Sequence, residues 1–140
     1  MDLTDATSAG GDLPGCVIFD LDGTFAFLGD RIPYDASRCE GDEVNEAVRF
    51  VYEAIRRGHP ETAVLLVSGR EERWRAETER WLARHGIAHD GLYLRRTGDR
   101  RKDYVVKKEV YERHISGRFV VRVVFDDRDQ VVRLWRDELG

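Results

Sequence analysis

Apolar positions along the chain fall into two patterns that alternate. Cys16-Val17-Ile18-Phe19 is a short unbroken apolar run ending at Asp20, and Thr62-Ala63-Val64-Leu65-Leu66-Val67 is a second, ending at Ser68-Gly69-Arg70. Leu92-Tyr93-Leu94 is a shorter third, and Phe119 to Phe125 a fourth, closed by Asp126-Asp127-Arg128. Runs of this length and composition predict strands buried on both faces. Between them the apolar residues recur at helical spacing. Val44, Ala47, Val48, Val51, Tyr52 and Ile55 predict one buried helix face, with Asp42 as N-cap and Gly58 as the stop. A charged helix with Trp74, Thr78, Trp81 and Leu82 on its inner side runs to Gly86, another covers Asp103 to Ile115, and a last one runs from Asp129 to Glu138 with Val132 and Trp135 facing in. Strands alternating with helices predict an α/β domain with a Rossmann-like parallel sheet, right-handed crossovers and helices on both faces. Leu21 to Gly41 carries Gly23, Gly29, Pro33 and scattered Asp, and reads as a minimal cap or flap at about 23–41. Residues 1–15 have no apolar period and read as a flexible N-terminal leader.

With 140 residues, the chain from 16 to 140 suits a single domain and excludes two conventional ones. At 41% apolar and 36% charged residues it is too hydrophobic for a disordered tail, and no apolar run approaches a membrane span. The formal net charge of −4 argues at first against a polyanion binder. It is unevenly spread, however: up to Asn45 there are 10 acidic and 2 basic residues, and beyond it 17 acidic and 21 basic. The body of the protein is therefore basic, and nearly all of that charge is Arg, with Lys only at 102, 107 and 108. Two cysteines, Cys16 and Cys39, make no disulfide framework, and the start lacks the regions of a signal peptide; the expected location is cytoplasmic, with no membrane partner.

The polar signals gather just past the C-terminal ends of three apolar strands: Asp20-x-Asp22, Ser68-Gly69-Arg70 and Asp126-Asp127. In open α/β sheets that edge binds ligands. Taken singly, each has an ordinary structural explanation as a turn, a helix cap or a solvated face. Their joint occurrence at strand ends points to a site. Four carboxylates at one edge need a cation, and an all-oxygen set suits Mg²⁺. A carboxylate beside Mg²⁺ can attack phosphorus, and a second one two residues on can protonate the leaving oxygen and then activate water. Asp20 and Asp22 fit those roles, with Ser68 and Lys107 as donors to the transferring phosphoryl group.

Asp20-Leu21-Asp22-Gly23-Thr24, Ser68, Lys107 and Asp126-Asp127 resemble the four ordered motifs of the haloacid dehalogenase superfamily of phosphotransferases. Gly29 to Asp35, Cys39 to Val48, Ser68 to Glu71, Gly98 to Asp103, Val105 to Lys107 and Asp126 to Arg136 are similar, within that superfamily, to the 3′-phosphatase domain of bacteriophage-type polynucleotide kinase-phosphatases. The resemblance implies the haloacid dehalogenase fold, Asp20 as nucleophile, Asp22 as general acid/base, and Ser68 and Lys107 as phosphate ligands. It implies Mg²⁺ held by Asp20, the backbone carbonyl of Asp22, Asp126 and Asp127. Arg31, Arg70 and Thr24 are implied as substrate-binding, and Asp103 as the group that orients Lys107. The implied substrates are 3′-phosphates, and 2′,3′-cyclic phosphates, on DNA or RNA ends, in end healing for repair. Arg95, Arg96, Arg100, Arg101 and Lys102 form a basic loop that suits a backbone-tracking patch.

The family domain continues past its final helix with another strand, whereas this sequence stops at Gly140. No Gly-x-x-x-x-Gly-Lys-[Ser/Thr] occurs, so a separate kinase, and a ligase, are expected as partners. Two other readings remain: a small-molecule phosphomonoesterase of the same superfamily, and a receiver-like phospho-acceptor signalling domain. In the latter the acidic pair would lie on the first strand, whereas here Asp-x-Asp-Gly-Thr comes first and the acidic pair last.

Overall fold

The computed structural model describes residues 13–32 and 35–139. Most of the expected leader, and Pro33 and Tyr34 of the flap, lie outside the described residues. Gly15 already belongs to the first strand.

Four strands, β1 (Gly15–Phe19), β4 (Ala63–Glu71), β5 (Gly91–Arg95) and β6 (Val120–Phe125), form a parallel sheet in the order β5-β4-β1-β6. The chain winds outward from β1 in both directions, so helices cover both faces, as the alternating pattern predicts. Alternation within β1 sorts the core. Val17 and Phe19 face one side, with Tyr52 of α1 (Glu46–Gly58) and Trp81 and Leu82 of α2 (Arg75–Arg84). Cys16 and Ile18 face the other, with Val110 of α3 (Asp103–Val110) and Val131 of α4 (Asp129–Arg133). Both last helices continue as a single π-helical turn, Tyr111–Ile115 and Leu134–Glu138, closed by Ser116 N–H to Tyr111 O (2.8 Å) and Leu139 N–H to Leu134 O (3.1 Å).

The start of α1 corrects the expected cap. Asn45, three residues after Asp42, is the N-cap, its Oδ1 accepting from the Ala47 amide at 3.2 Å. Val44 is consequently in a strand: β2 (Ala26–Phe27) and β3 (Glu43–Val44) pair antiparallel, giving the flap a small sheet of its own. The flap is tied down by α2. Trp81, fully buried, donates its Nε1–H to the Asp42 carbonyl at 2.9 Å, and Arg80 pairs with Glu40.

Cys16, fully buried in the central strand, has its thiol pushed up by burial from 9.0 to about 11. Between those values the unfolded chain sheds the thiol proton while the folded chain keeps it, so stability falls as pH rises through that window, by about 2 kcal/mol. Urea unfolding midpoints measured across pH 8 to 11 are expected to decline, and Cys16→Ala, which has no proton to lose, to give the flatter profile.

Candidate active site

Asp20 follows the last residue of β1, and its amide donates to the Phe125 carbonyl at 2.9 Å. That bond fastens the end of β1 to the end of β6 and brings Asp20 beside Asp126 and Asp127, whose carboxylate oxygens lie within 4.8 Å of one another and of Asp20. Lys107 enters from α3, fully buried, with Nζ 3.1 Å from Asp20 Oδ1 and 2.6 Å from Asp126 Oδ2. Burial holds the Asp20 carboxyl well above its ordinary value; Lys107 opposes this, and the like charge of Asp126 reinforces it. Burial alone would push the Lys107 ammonium down, but Asp20 and Asp126 outweigh it and hold its affinity for the proton above the ordinary value. Three carboxylates facing one ammonium leave excess negative charge around buried Asp20, and the all-oxygen donor set of Asp20, Asp126 and exposed Asp127 fits a hard divalent cation such as Mg²⁺.

The Asp22 carboxylate is not part of that cluster. It is held by two arginines: Arg31 Nη2 donates to Asp22 Oδ1 at 2.8 Å and Arg70 Nη2 to the same oxygen at 2.7 Å. Both guanidiniums also pair with Asp42 Oδ2, at 2.8 and 3.2 Å. Arg31 spends its Nε on Asp42 and its Nη1 on the Asp35 carbonyl, and Arg70 spends its Nη1 on Thr78 Oγ1. Two guanidiniums and two carboxylates thus form a closed quartet, buried except at Asp22, whose side chain is 20% exposed. The roles expected for Arg31 and Arg70 were contacts to substrate; in this structure their donors serve Asp22 and Asp42.

Asp42 is the site residue that sequence reasoning missed, having been read as a helix cap. The available signal was a surplus of caps, since Asn45 three residues later suffices for α1. Asp103 also departs from its expected part. Its carboxylate pairs with Arg95 and with Arg128 (3.0 Å), while the Lys107 ammonium is taken by Asp20 and Asp126. One helical turn of spacing allowed an Asp103–Lys107 contact, but Lys107 points inward and Asp103 toward the loops.

Ser68, Gly69 and Arg70 lie inside β4 rather than past its end. The pairing with β5 goes from Val67↔Tyr93 to Glu71↔Arg95, so this segment bulges from the ladder and its side chains are re-aimed toward the site. Buried Ser68 accepts from the Arg70 amide on Oγ at 3.1 Å. Gly23 is required twice over, by φ +81° and because a Cβ there would lie 2.1 Å from Asp127 Oδ2. Thr24 Oγ1 is buried beside this turn with no hydrogen-bond partner among the described residues.

The family model of the phosphatase domain of polynucleotide kinase PNKP matches residues 14–140. The chain belongs to this family. The chain is accordingly a phosphatase, and the receiver-like reading falls away. A viral protein of Autographa californica nuclear polyhedrosis virus, carrying the name bifunctional polynucleotide kinase/RNA ligase, is 33% identical over 130 residues, which cover 91% of this chain and 19% of that protein. Two structures of a Pnkp1/Rnl/Hen1 complex, one of them named as an RNA repair complex, contain a similar chain at 44% identity and a TM-score of 0.87. Each similarity covers 91% of this chain, and 44% and 40% respectively of the matched chain. The PNKP-type phosphatase chain thus spans less than half the length of these relatives. Among the described residues no helix is long and apolar enough to cross a membrane.

Proposed function

We propose that this chain hydrolyses 3′-phosphate ends of DNA or RNA, with 2′,3′-cyclic phosphate ends as a further substrate, through an aspartyl-phosphate on Asp20. The observation that carries this reading is the division of labour between two adjacent carboxylates. Asp20 lies buried among Lys107, Asp126 and Asp127, whereas Asp22 is turned away and fixed by Arg31 and Arg70. Lys107, and the cation that the Asp20, Asp126 and Asp127 oxygens fit, favour the charged, nucleophilic form of Asp20, while Asp22, two residues on and outside that cluster, is left to carry a proton.

In the first half-reaction an Asp20 carboxylate oxygen attacks phosphorus, the bond from phosphorus to the 3′ oxygen breaks, and Asp22 gives that oxygen its proton. In the second, Asp22 takes a proton from water as the water oxygen attacks phosphorus, the acyl phosphate bond breaks, and phosphate leaves with Asp20 restored. Lys107 and Ser68 donate to the non-bridging oxygens. Mg²⁺, held by Asp20, Asp126, Asp127 and the Asp22 backbone carbonyl, would neutralise the charge that gathers where carboxylates and phosphate meet. The paired guanidiniums of Arg31 and Arg70 act on Asp22, limiting its carboxylate to one orientation. A flap with only a two-stranded sheet leaves room for a polymer end. The names of the similar proteins support a setting in nucleic-acid repair beside a kinase and a ligase, and two buried free thiols are compatible with the cytoplasm.

The test offers the protein, with Mg²⁺ and with a chelator, a 3′-phosphorylated oligonucleotide, its 5′-phosphorylated counterpart and a panel of small phosphomonoesters. The 3′-phosphorylated strand is expected to be preferred by about a hundredfold and to lose its reactivity in chelator. Preference for the small esters would overturn the polynucleotide reading in favour of a small-molecule phosphomonoesterase.

A further inference from the structure

A groove of about 610 Å³ begins where the carboxylate site ends, walled by Gly69 and Arg70 on one side, Arg128 on another, and the loop from Gly98 to Asp103. The loop is packed hard against the site. A Cβ on Gly69 would lie 2.5 Å from Asp103 Oδ1, and Arg95 donates its Nε–H to the Gly69 carbonyl at 2.9 Å.

The five basic residues of this stretch separate into three kinds. The donors of Arg95 and Arg101 are spent on the protein itself. Arg95, buried, binds the Gly69 and Asp99 carbonyls, the Arg101 carbonyl and Asp103. Arg101 makes a two-pronged pair with Asp99 (3.0 and 2.7 Å) and reaches Glu109 at 2.7 Å. Arg96 is exposed but lines a separate depression with Glu72, Glu109 and His114, outside the groove. Arg100 and Lys102 remain. Both are exposed, both line the groove, and neither has a carboxylate partner among the described residues. A loop rigidly anchored by Arg95 and Arg101 therefore presents two uncompensated cations beside the site.

We propose that Arg100 and Lys102 hold the sugar-phosphate backbone of the single strand whose 3′ end occupies the carboxylate site, and so make the enzyme favour a polynucleotide over a single nucleotide. This rests on the polynucleotide reading above. A strand carries one charge per nucleotide back from its end, and two cations on a groove that shares Gly69, Arg70 and Asp103 with the surroundings of the site can each take one such charge. Arg95 and Arg101 belong to the scaffold and contact no phosphate.

The experiment measures binding of a fluorescent 3′-hydroxyl single strand, which the enzyme cannot consume, as a function of salt, for the wild type, Arg100→Gln/Lys102→Gln and Arg96→Gln. Thermal midpoints check the fold; exposed residues without partners are expected to leave them unmoved. The double variant is expected to bind about tenfold more weakly, and its log-affinity against log-salt slope to be shallower by about 1.4, two single-strand phosphate contacts. Arg96→Gln removes the same kind of charge from the same loop and is expected to keep the wild-type slope. An unchanged slope in the double variant, an equal fall in Arg96→Gln, or no strand binding by the wild type would each overturn the proposal. Phosphate release from the 3′-phosphorylated strand is followed in parallel. Strand binding that depends on Arg100 and Lys102 without 3′-phosphate release defeats the functional reading and leaves the groove. Release with wild-type binding in the double variant defeats the groove and leaves the function.

Discussion

Asp20→Asn is expected to abolish phosphate release while leaving the protein at least as stable as the wild type. The amide cannot attack phosphorus, so turnover of a 3′-phosphorylated oligonucleotide is expected to fall by about 10⁴-fold or more, the scale seen when a nucleophile is removed. The stability expectation comes from the same surroundings. Asp20 is a buried carboxylate beside the like-charged Asp126, and Lys107 has Asp126 to pair with when Asp20 is neutral. Removing one of three crowded charges relieves repulsion, and although the Lys107–Asp20 pair is lost, Lys107 keeps its closer partner Asp126, a case of stability set aside for activity. Thermal unfolding without Mg²⁺ and phosphate release, measured on the same preparation, check both halves. Phosphate release near the wild-type rate would overturn the covalent mechanism. A large loss of stability would overturn the electrostatic account of the cluster.

Arg70→Ala is expected to act on both quantities in the same direction. Arg70 is fully buried and shares Asp22 and Asp42 with Arg31. Without it, two carboxylates face a single guanidinium, and breaking a buried pair in this way costs about 3–5 kcal/mol. Asp22 also loses the partner that fixes its second oxygen, at 3.2 Å from Arg70 Nε, so the proton carrier is no longer limited to one orientation, with a loss of about 10²-fold in single-turnover phosphate release. Arg70→Lys is expected to restore little, because one ammonium cannot reproduce the fork that spans Asp22 Oδ1, Asp22 Oδ2 and Asp42 Oδ2. Urea unfolding read together with single-turnover kinetics checks the prediction. Wild-type kinetics in Arg70→Ala would mean that Asp22 needs no such support.

Strand and helix existence was legible wherever burial dictates pattern. Val17 to Phe19 and Val64 to Val67 are apolar because both faces of the central strands are covered, and Thr78, Trp81 and Leu82 fall at the i, i+3, i+4 spacing of a helix with one face inside. Legibility failed at the edges of elements. Asp42 and Asn45 are equally good caps in isolation, and only the approach of Arg31 and Arg70 decides that Asp42 belongs to the site. Ser68-Gly69-Arg70 reads as a loop because nothing in three residues reveals that β5 pairs on both sides of a bulge.

Among charged residues the limit was sharper. The sequence shows that Arg31, Arg70, Arg95, Arg100, Arg101 and Lys102 are cations and that several lie near motif residues. It gives no means of knowing whose donors are already used. Arg95 and Arg100 differ by five positions in one loop, yet one is enclosed by backbone carbonyls and the other stands free in the groove.

By itself, then, the sequence determined the α/β class, the order of the elements and the arrival of Asp20 and the Asp126-Asp127 pair at one sheet edge. Those follow from local periodicity and from the rule that parallel strands present their C-terminal ends together. Tertiary structure alone decided that Asp22 is held by a quartet with Asp42, that Asp103 serves Arg95 and Arg128 rather than Lys107, and that Arg95 and Arg101 are tied to carboxylates whereas Arg100 and Lys102 have none among the described residues. The physical reason is that a charge acts through its partners at 3 Å, and long side chains from distant parts of the chain choose those partners only after the backbone has closed.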